Sequence, residues 1–156
     1  MVVFTSYSHY IFGIGNSYAS DDRIGLYILD ELSNKIDPNK CYFKKIGSDL
    51  FEIVPELELI PESKPILLID AILTDILPMG SIIVFEAGKD PISEMKFGSS
   101  SHTLSIMDII AMNKATSKKD LSMLFLGIVI ENTDYGEEIN TTILEKKDII
   151  LELINK

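Results

Sequence analysis

A chain of 156 residues, 46% of them hydrophobic, is long enough to bury the continuous core of one compact domain and too short to promise a second. With 24 acidic against 14 basic residues its net charge is −10, which repels phosphate backbones and anionic headgroups, so no nucleic acid and no membrane surface is expected as partner. The single cysteine, Cys41, rules out an internal disulfide or a multi-cysteine zinc site and fits a reducing compartment, which makes the cytoplasm the expected location. The segment from Met1 to Tyr10 lacks the cationic start of a secretory signal, and the most apolar region, 65–85, is interrupted by Asp70, Asp75, Pro78 and Gly80, so no membrane span is expected.

Apolar, β-branched runs alternate with stretches of helical period, the pattern of a parallel sheet covered on both faces by helices. The expected fold is therefore a three-layer α/β sandwich, one domain over residues 1–156. A first strand, Tyr10 to Ile14, runs into a turn at Gly13, Gly15 and Asn16. A helix follows, with Ser20 as N-cap, Asp21 and Asp22 in its first turn, and Ile24, Tyr27, Ile28 and Leu32 along one face; Asn34 and Pro38 close it. A second strand, Tyr42 to Ile46, reaches Gly47 and Ser48, and a helix from Asp49 to Leu59 stops before Pro61.

The third strand, Ile66 to Ile69, is apolar at consecutive positions, as a central strand buried on both faces must be, and is expected to end at Asp70. Ser81 to Glu86 follows after only a Pro-Met-Gly turn, too short for a helical crossover, so this strand should be antiparallel and at an edge. Residues 90–101 read as a mobile loop, and Ser101 as the cap of a helix over 102–113 with Ile106, Ile109, Ile110 and Asn113 on one face. Met123 to Ile130 is the last buried strand. Residues 137–155 form the last helix, with Ile139, Ile143, Ile150, Leu153 and Ile154 facing inward.

In an open α/β sheet, ligands gather where strand ends meet loops and helix N-termini, which singles out Asp22, Asp70 and His102. A strand order of about 2-1-3-5-4 would open all three onto one crevice. Two carboxylates and an imidazole suit a borderline divalent ion such as nickel or zinc, with positions left for water or substrate. Each residue also has an ordinary explanation. First-turn acids are favoured by the helix dipole alone, Asp70 could cap a neighbouring turn, and His102 could be an exposed histidine in a serine-rich loop. Nucleotide motifs are absent, because the dinucleotide fingerprint would need a glycine where Tyr18 stands and no Gly-Lys-Ser/Thr follows Gly13 or Gly15. No Gly-x-Ser-x-Gly elbow occurs, and Cys41 lies ahead of its strand, so covalent catalysis is not expected.

Taken together, Gly13-Ile14-Gly15-Asn16, Asp21-Asp22 with Gly25, Ile69-Asp70-Ala71, Ser101-His102 and Phe125-Leu126-Gly127-Ile128 resemble, in order and spacing, the nickel-iron hydrogenase maturation endopeptidases, in particular the branch serving formate-hydrogenlyase-type and archaeal hydrogenases. The resemblance spans nearly the whole chain. It implies a five-stranded, mostly parallel sheet with one antiparallel edge, and an endopeptidase that removes the C-terminal extension of a nickel-loaded large-subunit precursor. It also implies that Asp22, Asp70 and His102 contact nickel contributed by that precursor, with no other tightly bound cofactor. Asp22 or Asp70 would help activate the attacking water, and Gly15 and Asn16 would orient the peptide or Asp22. A monomer is the expected state. Two positions depart from the family pattern: Arg23 stands where glycine is usual, and Ile46-Gly47-Ser48 replaces an Asp-Gly-Gly-Thr-like turn. Two rivals use the same residues, a nickel-holding chaperone without catalysis and a phospho-receiver module with an early acidic pair and an aspartate ending strand three.

Overall fold

The computed structural model describes residues 7–16, 21–47, 49–74, 76–86, 106–117, 119–131 and 138–154. Five strands form one sheet: β1 (His9–Ile14), β2 (Cys41–Ile46), β3 (Ile66–Leu73), β4 (Ile82–Glu86) and β5 (Met123–Ile130). Their order is β2-β1-β3-β5-β4, all parallel except β4, which runs antiparallel to β5 at the edge. The short Pro78-Met79-Gly80 link dictates that edge, because two strands joined so closely can only fold back on each other. Gly80 makes the return at φ +89, a backbone angle that costs glycine little. An all-parallel 2-1-3-4-5 receiver sheet has no place for such a strand, which removes the receiver reading.

The helices are α1 (Ile24–Lys35), α2 (Ile53–Leu59), α3 (Ile106–Thr116), α4 (Thr141–Leu144) and α5 (Lys147–Ile154). They divide the core in two. One apolar cluster joins Phe12, Leu68, Phe125 and Val129 of the sheet to Ile53 and Leu57 of α2 and Ile106, Ile109 and Ile110 of α3. The other joins Ile11, Ile69, Leu126 and Ile128 to Ile24, Ile28 and Leu32 of α1 and Ile150 and Leu151 of α5. Alternate residues of each central strand feed opposite clusters, the arrangement a two-sided parallel sheet demands. Burying each such side chain contributes about 1.5–3 kcal/mol, so both layers are needed. No helix among the described residues is long and apolar enough to cross a membrane.

Several expectations shift. Strand β3 does not end at Asp70 but continues to Leu73, because the eight residues of β5 pair with it throughout, Asp70 opposite Gly127. Its pairing with β1, by contrast, stops at Ile69, so Asp70 is the first residue to stand clear of that neighbour. The first helix is preceded by a 3-10 turn, Asp21–Arg23, and α2 by another, Leu50–Glu52, capped by the Asp49 carboxylate on the Phe51 N–H. Cys41 is the first residue of β2 rather than ahead of it, and is buried as a free thiol.

The single last helix is instead two. Asn140, in an extended conformation, caps α4 by accepting the Thr142 N–H, and a turn at 145–146 separates α4 from α5. Ile139 thus precedes the helix but still packs on the second cluster, with Ile143 and Ile150 fully buried. The expected third helix is seen from Ile106, and Asn113 is only partly buried. Ser20, Ser48, Ser101 and the loop 90–101 lie outside the described residues.

Candidate functional site

The site forms where β1 stops. Gly15 donates its N–H to the Ile46 carbonyl at 3.1 Å, extending the sheet by one more bond, and the chain then leaves the sheet and returns as the Asp21–Arg23 turn. Contact between the two segments is at backbone level. A Cβ on Gly15 would lie 2.2 Å from the Asp22 carbonyl oxygen, and one on Gly25 would lie 2.3 Å from the Ile14 oxygen and 2.6 Å from the Ile69 oxygen. Only glycine permits that approach. The consequence is that the start of α1 sits directly over the ends of β1 and the middle of β3, which delivers Asp22 to Asp70.

Asp22 Oδ2 accepts the Asn16 backbone N–H at 3.2 Å, and Asp70 Oδ1 accepts the Ala71 backbone N–H at 2.7 Å. Burial pushes the Asp22 carboxyl up to about 6, against a smaller opposing effect from the Asn16 hydrogen bond. Burial also raises Asp70 well above the usual carboxylate range, and the negative charge of Asp22 raises it further. Each acid is therefore felt by the other or by the same desolvated crevice. Two partly buried carboxylates with this behaviour hold a proton readily, or accept a cation in its place.

Of the residues singled out from the sequence, Asp22, Asp70, Gly15 and Asn16 converge. His102 lies outside the described residues, although α3, which would follow it, packs on the same face of the sheet as Phe12 and Leu68. His9 opens β1 at the far end of that strand and is exposed. Among the described residues no three or more His, Cys, Asp or Glu side chains group closely enough to hold a metal ion. The pair supplies two oxygen-donor groups, which suit nickel or zinc as part of a larger donor set.

A further acid belongs to the same turn. Asp21 is the only charged side chain in the described core, 1% exposed, and its Oδ1 accepts the Asn140 N–H at 2.7 Å. The sequence shows it only as a first-turn acid, and no local signal reveals a partner 119 positions along the chain.

No protein-family model and no curated sequence matches the chain. Solved structures do. A [NiFe] hydrogenase maturation protease HybD from Thermococcus kodakarensis matches with a TM-score of 0.73 at 22% identity, over 94% of this chain and 96% of that one. The hydrogenase maturating endopeptidase HybD from E. coli matches with a TM-score of 0.75 at 18% identity, over 94% and 88%. A [NiFe] hydrogenase maturation protease HycI from Thermococcus kodakarensis KOD1 matches with a TM-score of 0.67 at 22% identity, over 97% and 93%. Along nearly its whole length, the chain has the fold of these hydrogenase maturation proteases.

Proposed function

We propose that this chain is an endopeptidase that removes the C-terminal extension of a nickel-iron hydrogenase large-subunit precursor after nickel insertion, acting as a cytoplasmic monomer. The observation that carries the reading is the meeting of Asp22 and Asp70 at one end of a sheet with this fold, both acids raised by burial. A carboxylate pair kept partly dehydrated gains more by binding a cation than an exposed pair would, since the cation replaces solvation already lost.

Nickel is part of the substrate in this scheme. Asp22 and Asp70, with His102 as nitrogen donor, grip the ion carried by the precursor and so place the scissile peptide, giving specificity through proximity. Asp22 or Asp70 helps to activate the attacking water, and the Asn16 N–H holds one oxygen of Asp22 in place. Arg23, immediately after the pair, adds a positive charge where the family usually has none, which should weaken the grip on a cation.

Incubation with a nickel-loaded precursor tests the reading by mass: the expected product is the subunit shortened at its C-terminus, and no shortening at any enzyme concentration would refute it. Apo precursor should remain whole. Its efficient cleavage would leave a protease but remove the nickel-sensing role. A precursor that is bound but never cut would instead mark a chaperone.

A further inference from the structure

Asp21 and Asp22 are neighbours with opposite fates. Asp22 turns toward the crevice, whereas Asp21 is buried to 1% exposure and accepts the Asn140 backbone N–H at 2.7 Å. Asn140 is committed on both sides of its own peptide: its Oδ1 accepts the Thr142 N–H at 2.8 Å, and its carbonyl accepts from Ile143 and Leu144 as α4 begins. Through Ile143, Ile150 and Leu151 the α4–α5 segment is in turn anchored in the same apolar cluster as α1. A buried carboxylate costs folding energy, so its retention where a neutral side chain could sit calls for a role.

We propose that Asp21 is a positioning residue: by holding the Asn140 N–H it clamps the 3-10 turn between the C-terminal helices and the sheet, and so fixes the aim of the adjoining Asp22 carboxylate at Asp70. The clamp has two jaws. On the sheet side, Gly15 and Gly25 let the turn rest on the backbone of β1 and β3; on the outer side, the Asp21–Asn140 bond prevents it from lifting. A 3-10 turn of three residues has little internal bonding to resist such motion. The claim about processing rests on Asp22 and Asp70 being the working pair, while the claim about geometry does not.

The test removes acceptor and donor separately. Asp21→Asn keeps an oxygen able to accept the Asn140 N–H, and Asp21→Ala does not. Asn140→Pro deletes the donor at a φ of −57 that proline accepts, and Asn140→Ala keeps the donor while losing only the side-chain cap. Leu57→Ala, a cavity in the opposite apolar layer, supplies a variant destabilised away from the site. The geometric readout is the amide resonance and exchange protection of Asn16, whose N–H bonds the Asp22 carboxylate.

Asp21→Ala and Asn140→Pro should both shift that resonance and lower kcat for precursor cleavage by about tenfold or more, with KM within ~2-fold, because small misplacements of a reacting group are costly. Asp21→Asn and Asn140→Ala should stay within ~3-fold of wild type on the same scale. If Asp21→Ala does not fold, the comparison of Asn140→Pro with Asn140→Ala decides. An Asn16 signal unmoved in Asp21→Ala and Asn140→Pro, with melting lowered as in Leu57→Ala, overturns the proposal. Should wild type cut no precursor, the protease reading fails, and the Asn16 signal alone still decides this one.

Discussion

Near the starting ends of β1 and β2, Glu56 of α2 receives the Tyr42 hydroxyl on both oxygens, at 3.1 and 3.0 Å, and pairs with Lys44 Nζ at 3.1 Å. Near the finishing ends, Asp22 and Asp70 accept the Asn16 and Ala71 N–H groups, burial raises both acids, and the charge of Asp22 raises Asp70 further. The first acid is stabilised by what surrounds it; the other two are held in a state their surroundings oppose. A domain tolerates such a loss where the groups gain something on binding, so the end of the sheet with the poorly solvated acids is the end to suspect of function.

The largest effect should come from breaking the poorly solvated pair. Asp70→Asn retains an oxygen for the Ala71 N–H and therefore the fold, but removes the charge that positions the ion or activates the water, and precursor processing should fall by ~10²- to 10⁴-fold. Mass measurement of the precursor over time checks this, and circular dichroism checks that the fold survives. A variant that folds and still cuts at the wild-type rate would divorce the pair from the chemistry.

Gly15→Ala is next in size. Its Cβ would meet the Asp22 carbonyl at 2.2 Å, a backbone atom that cannot swing aside, so the turn must lift or the strand must bend. Overpacking of this kind typically costs about 1–3 kcal/mol, read as a lower denaturation midpoint, and here it should also reduce processing. Gly47→Ala is the internal control, since nothing lies within 4 Å of a Cβ there.

Stability against pH sharpens the contrast with a sign. The Asp22 carboxyl is raised from 3.8 to about 6 in the fold, so between those values the unfolded chain has already lost the proton that the folded chain still holds. Stability is full below about 4 and falls as pH rises through about 6, after which the loss is constant. Asp22→Asn escapes that loss, so it should be more stable than wild type by about 1–2 kcal/mol at pH 8, a figure reduced for residual solvent contact, and should show no advantage near pH 4. Denaturant titrations at the two pH values measure it; an advantage that is equal at both would mean the gain is not electrostatic.

Much of this could be read before any coordinates. The α/β sandwich and its antiparallel edge strand follow from apolar runs and a link too short to cross over. The five-stranded sheet is instead implied by the family resemblance, and the convergence of Asp22 with Asp70 follows from strand and helix ends only once the order 2-1-3-5-4 is assumed. The length of β3 was hidden because Asp70 interrupts an apolar run that Ala71-Ile72-Leu73 then resumes, and only pairing with β5 shows that the strand passes through the acid. The break at 145–146 was hidden because Ile143 and Ile150 keep a helical spacing across it. Asp21 was hidden for a different reason: its partner is a backbone N–H, which no residue type announces.

The smallest expected effect lies at the well-paired end. Tyr42→Phe deletes a hydroxyl that reaches both Glu56 oxygens, yet Lys44 stays on one of them, so the carboxylate is not stranded. The phenyl ring also keeps its packing beside Tyr7, Tyr10 and Phe12, at centroid separations of 5.4, 5.9 and 6.2 Å. The loss should therefore be that of a hydrogen bond to a charged group with partial compensation, about 0.5–1.5 kcal/mol. Processing should remain within ~2-fold, because Tyr42 pairs with Tyr10 at the opposite end of β1 from the turn that carries Asp22. A Tyr42→Phe protein that melts normally but cuts slowly would show that the two ends of the sheet communicate, and the division between a structural acid and a working pair would have to be redrawn.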